Sequence, residues 1–119
     1  MIITATVQSI GEKALDAQDP ILVLFDQTAT PDLQAIAVIQ QFDAPLTAIN
    51  LTAGSQISID DQEYTVNYAG QLVATNLASI GHATLYFRPV PAKPLENGIY
   101  LAPSTFPQVH VGSVIKYQI

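Results

Sequence analysis

Apolar residues in this chain recur at every second position in short runs, and hold helical spacing over only two brief stretches. That pattern allows a sheet protein and disfavours a helical one. Ile3, Ala5 and Val7 alternate with Thr4, Thr6 and Gln8, so one strand face is apolar and the other polar. Ile57 and Ile59 alternate with Ser58 and Asp60, and Tyr64, Val66 and Tyr68 alternate with Thr65 and Asn67. Asp60-Asp61-Gln62 lies between these two runs and is turn-prone, so the pair reads as a hairpin. Ile21 to Phe25 is continuously apolar after Pro20 and predicts a buried strand. Further strands are expected at Ala37 to Ile39, Ala83 to Phe87, Ile99 to Ala102 and Val109 to Tyr117, with a proline-rich loop from Pro89 to Pro94.

The two helical stretches are short. Thr30 can cap a helix that starts with Pro31 and carries Asp32 in its first turn. Leu72, Val73, Leu77 and Ile80 have helical spacing, and Gly81 supplies a left-handed stop. The expectation is an all-β chain of about seven or eight strands with one or two short helices, a sandwich or a closed barrel. No repeat, low-complexity tract or linker divides the sequence, so residues 1–119 read as one domain. With 49% hydrophobic residues, the chain can bury a continuous core.

Charge and composition exclude several classes of function. The net charge is −6, and the cations Lys13, Arg88, Lys93 and Lys116 are scattered. Nucleic acid and anionic membrane surfaces both call for clustered cations, so neither is an expected partner. The absence of cysteine removes disulfides, thiol nucleophiles and thiolate metal sites. No secretory signal is seen at the start and no run of ~18 apolar residues occurs, so a cytoplasmic location without membrane insertion is expected. Asn50-Leu51-Thr52 fits a glycosylation acceptor, which in that location is a chance match.

The inventory of reactive groups is thin. No HExxH, glycine-rich phosphate loop or GxSxG elbow is present. Asp60 and Asp61 are adjacent and would point to opposite faces of a strand, so they read as a solvated turn rather than a metal site. No cofactor and no metal are expected. His82 follows Gly81 where a helix meets a strand. It can be a proton or phosphoryl acceptor, or a histidine that packs and hydrogen-bonds at a helix end, and the residues alone favour the second. His110, between Val109 and Val111, reads as a surface residue of a strand.

One set of residues carries a resemblance. Ile57-Ser58-Ile59, Tyr64-Thr65-Val66, Gly70, Asn76-Leu77, then Gly81-His82-Ala83-Thr84-Leu85 and Phe87, resemble the central signature of the glucitol/sorbitol-specific IIA component of the bacterial sugar phosphotransferase system. Gly112 to Tyr117 resembles the family's closing strand, while Ile21 to Phe25 and Asp32-Leu33 match more loosely. The likeness runs from about Ile21 to Tyr117 and implies a closed β-barrel. It also implies a cytoplasmic phosphoryl carrier, whose histidine takes phosphate from the histidine phosphocarrier protein and passes it to the sugar-specific IIB component. Aligned through Asp32-Leu33, the family's phosphorylated histidine, its neighbouring cysteine and a second histidine fall on Gln40, Gln41 and Phe42. An amide hydrogen-bonds but is not a nucleophile near neutral pH, so the acceptor position reads as degenerate. His82 matches a histidine of the family signature.

Three functions follow as expectations. The first is a homologue impaired in phosphoryl transfer, acting as a binding or regulatory module. The second is an active phosphocarrier using His82, and the third a small ligand-binding barrel unrelated to sugar uptake. If Ile36, Val38, Gln40 and Phe42 share a strand face, Gln40 sits on an apolar wall and must bond to a pocket water or to a neighbour such as His82.

Overall fold

The computed structural model describes residues 2–16, 18–46 and 49–119. Among these described residues, eight strands and two helices follow in chain order: β1 Ile2–Ile10, β2 Ile21–Phe25, α1 Pro31–Ile36, β3 Val38–Phe42, β4 Gln56–Ile59, β5 Gln62–Ala69, α2 Val73–Ile80, β6 Ala83–Tyr86, β7 Gly98–Ala102 and β8 Val114–Gln118. The strands close into a barrel in the order β1-β3-β2-β6-β7-β5-β4-β8, with β8 returning to β1. Closure leaves no open sheet edge, a protection that matters where only 12% of residues are charged.

Neighbouring strands are antiparallel except for β2–β3 and β6–β7, which run parallel. A parallel pair cannot be joined by a tight turn, so each is bridged by a crossover. The first crossover contains α1 and the second is the proline-rich segment. The hairpin between β4 and β5 pairs Ile57 with Tyr64 and Ile59 with Gln62, as the alternation predicts. Bulges interrupt β1 between Val7 and Ser9 and β5 between Val66 and Tyr68, the local bends that let a small sheet curl shut.

Inward positions fill the barrel. Leu22, Leu24, Val38, Ile57, Ile59, Val66, Leu85, Ile99, Leu101 and Ile115 are fully buried, and each contributes roughly 1.5–3 kcal/mol of burial. Val73 and Leu77 of α2 join this core, whereas α1 has no fully buried residue and is fastened by its cap, Thr30 accepting from Leu33 N, and by Lys13 N donating to Ala35 O.

The structure differs from the sequence reading at the last strand and at Ile36, and β3 runs on to Phe42 while β6 stops at Tyr86. The last strand starts at Val114 rather than Val109, because residues 103–112 instead form a strap against the barrel. Tyr64 Oη donates to Thr105 O at 2.8 Å, and the Gln62 amide both donates to Gln108 O and accepts from Gln108 N. Ile36 ends α1 and is exposed, so only Val38, Gln40 and Phe42 share the strand face.

Candidate functional site

β3 pairs with β1 on one side and β2 on the other, and its alternation turns Val38 and Gln40 into the barrel and Gln41 out. Gln40 has no exposed surface. Its Nε2 donates to Gly81 O at 3.0 Å, and its Oε1 accepts from Tyr117 Oη at 2.7 Å. A carbonyl can only accept, so the amide nitrogen must face Gly81 and the phenol must donate. Burial pushes the Tyr117 phenol well above its ordinary value, which keeps its proton in that bond. The amide thus needs neither a water nor the His82 ring that the sequence suggests as its neighbour; its partner is the carbonyl one residue earlier.

Gly81 sets the junction. It closes α2 in the left-handed region, at φ 63°, with Gly81 N donating to Leu77 O and His82 N to Asn76 O. This is the double capping bond that stops a helix and redirects the chain. A side chain at residue 81 would stand 2.7 Å from the Asp26 Cβ, so glycine is required for space as well as conformation. The turn sends the carbonyl of residue 81 inward to Gln40 and the ring of residue 82 outward.

There the His82 ring stacks on Phe25, with centroids 4.2 Å apart and planes 18° from parallel. Nδ1 lies 3.0 Å from Leu24 O and Nε2 lies 3.3 Å from Asn97 Nδ2. Because Leu24 O only accepts, Nδ1 carries the hydrogen, and in the neutral ring Nε2 holds the lone pair, which receives the Asn97 amide. His82 is therefore a half-buried imidazole of defined tautomer. Its hydrogen-bond and stacking partners, Leu24, Asn97 and Phe25, carry no positive charge that would hold a phosphoryl group.

Asp60 and His110 form a separate polar centre. Asp60 sits in the left-handed region, at φ 55°, and accepts from Val114 N at 2.9 Å and Ser113 Oγ at 2.8 Å. The Val114 N–H holds the Asp60 carboxyl below its ordinary range, helped by Ser113 and His110 and opposed by partial burial. His110 Nε2 is 3.6 Å away, on a side chain that is 72% exposed. His110 lies in the strap and not in a strand, but its surface position is as expected. Asp60 is turned toward β8, and among the described residues no group of three or more His, Cys, Asp or Glu is arranged to hold a metal ion.

Sequence reasoning picks out Gln40 and His82 and misses the atoms that bind them: the Gly81 carbonyl, Tyr117 and Asn97. No local signal marks these partners, which lie 41, 77 and 15 residues away, nor the Leu24 carbonyl, which lies 58 residues from His82.

Comparison with known proteins agrees with this architecture. The profile of the PTS system glucitol/sorbitol-specific IIA component family matches residues 2–116. No curated protein matches the chain in sequence. A crystal structure of a PTS system IIA component from Enterococcus faecalis V583 superposes with a TM-score of 0.93 at 36% identity, covering 98% of this chain and 99% of that one.

Proposed function

This chain belongs to the PTS glucitol/sorbitol-specific IIA component family, and we propose that it keeps the family's barrel while phosphoryl transfer at position 40 is lost, leaving a binding or regulatory module of sugar uptake. The observation that carries this reading is the state of Gln40. The resemblance aligns it with the family's acceptor histidine, and it is a fully buried amide with both polar ends occupied. Phosphoryl transfer calls for a lone pair that can attack phosphorus, and an amide nitrogen has none available. It also calls for access, which a side chain without exposed surface lacks.

The partners implied by the family are the histidine phosphocarrier protein and the sugar-specific IIB component, and the setting is the cytoplasm. Here such contacts would be non-covalent, and the chain would occupy a partner's surface without taking its phosphate. Membership of the family supports these roles over a ligand-binding barrel unrelated to sugar uptake. Incubation with phosphoenolpyruvate, enzyme I and the phosphocarrier protein tests the proposal. The expected result is no acid-labile phosphohistidine on this chain, and stoichiometric labelling would overturn it.

One observation favours a second reading, an active carrier that uses His82. The Leu24 carbonyl fixes the ring so that Nε2 carries the lone pair. Nε2 would form the new P–N bond as the donor's P–N bond breaks, the electron pair going to the donor nitrogen, which takes up a proton from solvent as the phosphorylated His82 ring releases its Nδ1 proton. Asn97 must first release Nε2, and no cation among the ring's contacts offsets the incoming charge. In this case labelling is seen, His82→Ala abolishes it and His110→Ala leaves it intact.

A further inference from the structure

Within the crossover between β6 and β7, the proline-rich residues 88–94 take no part in either reading. Residues 88–93 are all exposed, and Val90 and Leu95 expose 39% and 51% of their surface. The ends of the segment are fastened, Phe87 N donating to Pro20 O and Leu95 N to Tyr100 Oη, each at 3.1 Å. Between these pins, no hydrogen bond joins residues 88–94 to any other described residue. Packing therefore does not explain its composition.

That composition is specific. Arg88-Pro89-Val90-Pro91-Ala92-Lys93-Pro94 holds two of the chain's four cations, in a protein of net charge −6, and contains no carboxylate. Its prolines fix their own φ near −65° and push the residues before them, Arg88, Val90 and Lys93, toward extended polyproline II geometry. Pro91 and Pro94 are spaced by one polyproline II turn, and Arg88 stands three residues before Pro91. The chain bends at Arg88 and again at Ala92–Lys93, and no hydrogen bond to the described residues holds either bend, so both can straighten on binding. The Arg88 guanidinium rests 4.8 Å from the Tyr86 ring centroid, which keeps it on the surface beside the prolines.

We infer that residues 88–94 are a presented proline-rich ligand for a protein partner whose groove is lined by aromatic rings and rimmed by carboxylates. Ridges of proline spaced by three residues fit between aromatic side chains, and the restricted backbone has little entropy left to lose on binding. Arg88 and Lys93 then select acidic rims over neutral ones. This surface is independent of phosphoryl chemistry and stands whether or not His82 is labelled.

The test uses the full chain, labelled with ¹⁵N and titrated with an isolated SH3 domain whose groove takes Arg-x-x-Pro-x-x-Pro peptides. The expected result is saturable shifts confined to the amides of residues 88–98. The pair Arg88→Glu and Lys93→Glu should weaken binding by about tenfold or more, and Pro91→Ala with Pro94→Ala should do likewise. Both double variants should keep the unfolding midpoint of the parent, because the segment buries so little. An absence of shifts at millimolar SH3 domain, shifts centred elsewhere on the barrel, or unchanged binding by folded double variants would each overturn the inference.

Discussion

Gln40 and His82 lie on the two sides of one barrel wall, and residue 81 connects them. Inside, the Gly81 carbonyl receives the Gln40 amide, which in turn holds the Tyr117 hydroxyl. Outside, the next residue stacks its ring on Phe25 and anchors Nδ1 on Leu24 O. The inner group has no exposure and no nucleophile, while the outer has a nucleophilic nitrogen but an amide over it. The difference shows that hydrogen bonding alone does not make a site. The inner network is complete and therefore structural, whereas the outer one leaves a reactive lone pair behind a single weak bond.

The largest expected effect comes from breaking the inner network. Gln40→Ala leaves the Tyr117 hydroxyl and the Gly81 carbonyl unpaired and opens a void, so it should destabilise the protein by about 2–4 kcal/mol in urea unfolding. Tyr117→Phe removes only the phenol oxygen and should cost roughly 1–3 kcal/mol, with the double variant less destabilised than the sum because the two share one bond. On the outer side, His82→Ala gives up a stacked ring and a hydrogen bond at a half-exposed position, and about 1 kcal/mol is expected by the same measurement. If His82→Ala proved the costlier of the two alanine variants, the assignment of inner and outer roles would be reversed.

A Gln40→His substitution sharpens the comparison further. Placing an imidazole there supplies a nucleophile but not access, so the variant is expected to gain no labelling over the parent in the phosphotransfer assay. A gain would show that docking of a partner opens the barrel at this point. The smallest effect concerns the distant Asp60 centre. The Val114 and Ser113 donors lower the Asp60 pKa in the folded state, below the ordinary value of 3.8. Its contribution is therefore complete above that value and is lost as the pH falls through the lower folded one. Stability of the parent should drop in that acid range, and Asp60→Asn should flatten the drop.

Much of the barrel is legible in the order of the residues. The alternation of Ile3, Ala5 and Val7 and the runs Ile57–Ile59 and Tyr64–Tyr68 each predict strands that form, and Thr30-Pro31 and Gly81 mark real helix ends. Val109-His110-Val111 misleads because its alternation is that of a strand, yet the segment is held by the side chains of Gln62 and Tyr64 instead of a ladder. Gln40 is legible as an amide on an apolar wall, since that follows from its neighbours in sequence. Its true partners are not, because they depend on which strand ends meet in space.

Sequence alone determined the kinds of group available: period-two strands, a glycine able to turn left, an amide at position 40 and only two imidazoles. These are properties of side chains and local backbone geometry, so they are fixed before folding. Only the tertiary structure decided that the amide is sealed while the half-buried His82 keeps a lone pair on Nε2 behind Asn97. Burial and hydrogen-bond pairing arise from contacts between residues far apart in the chain, and barrel closure creates those contacts all at once.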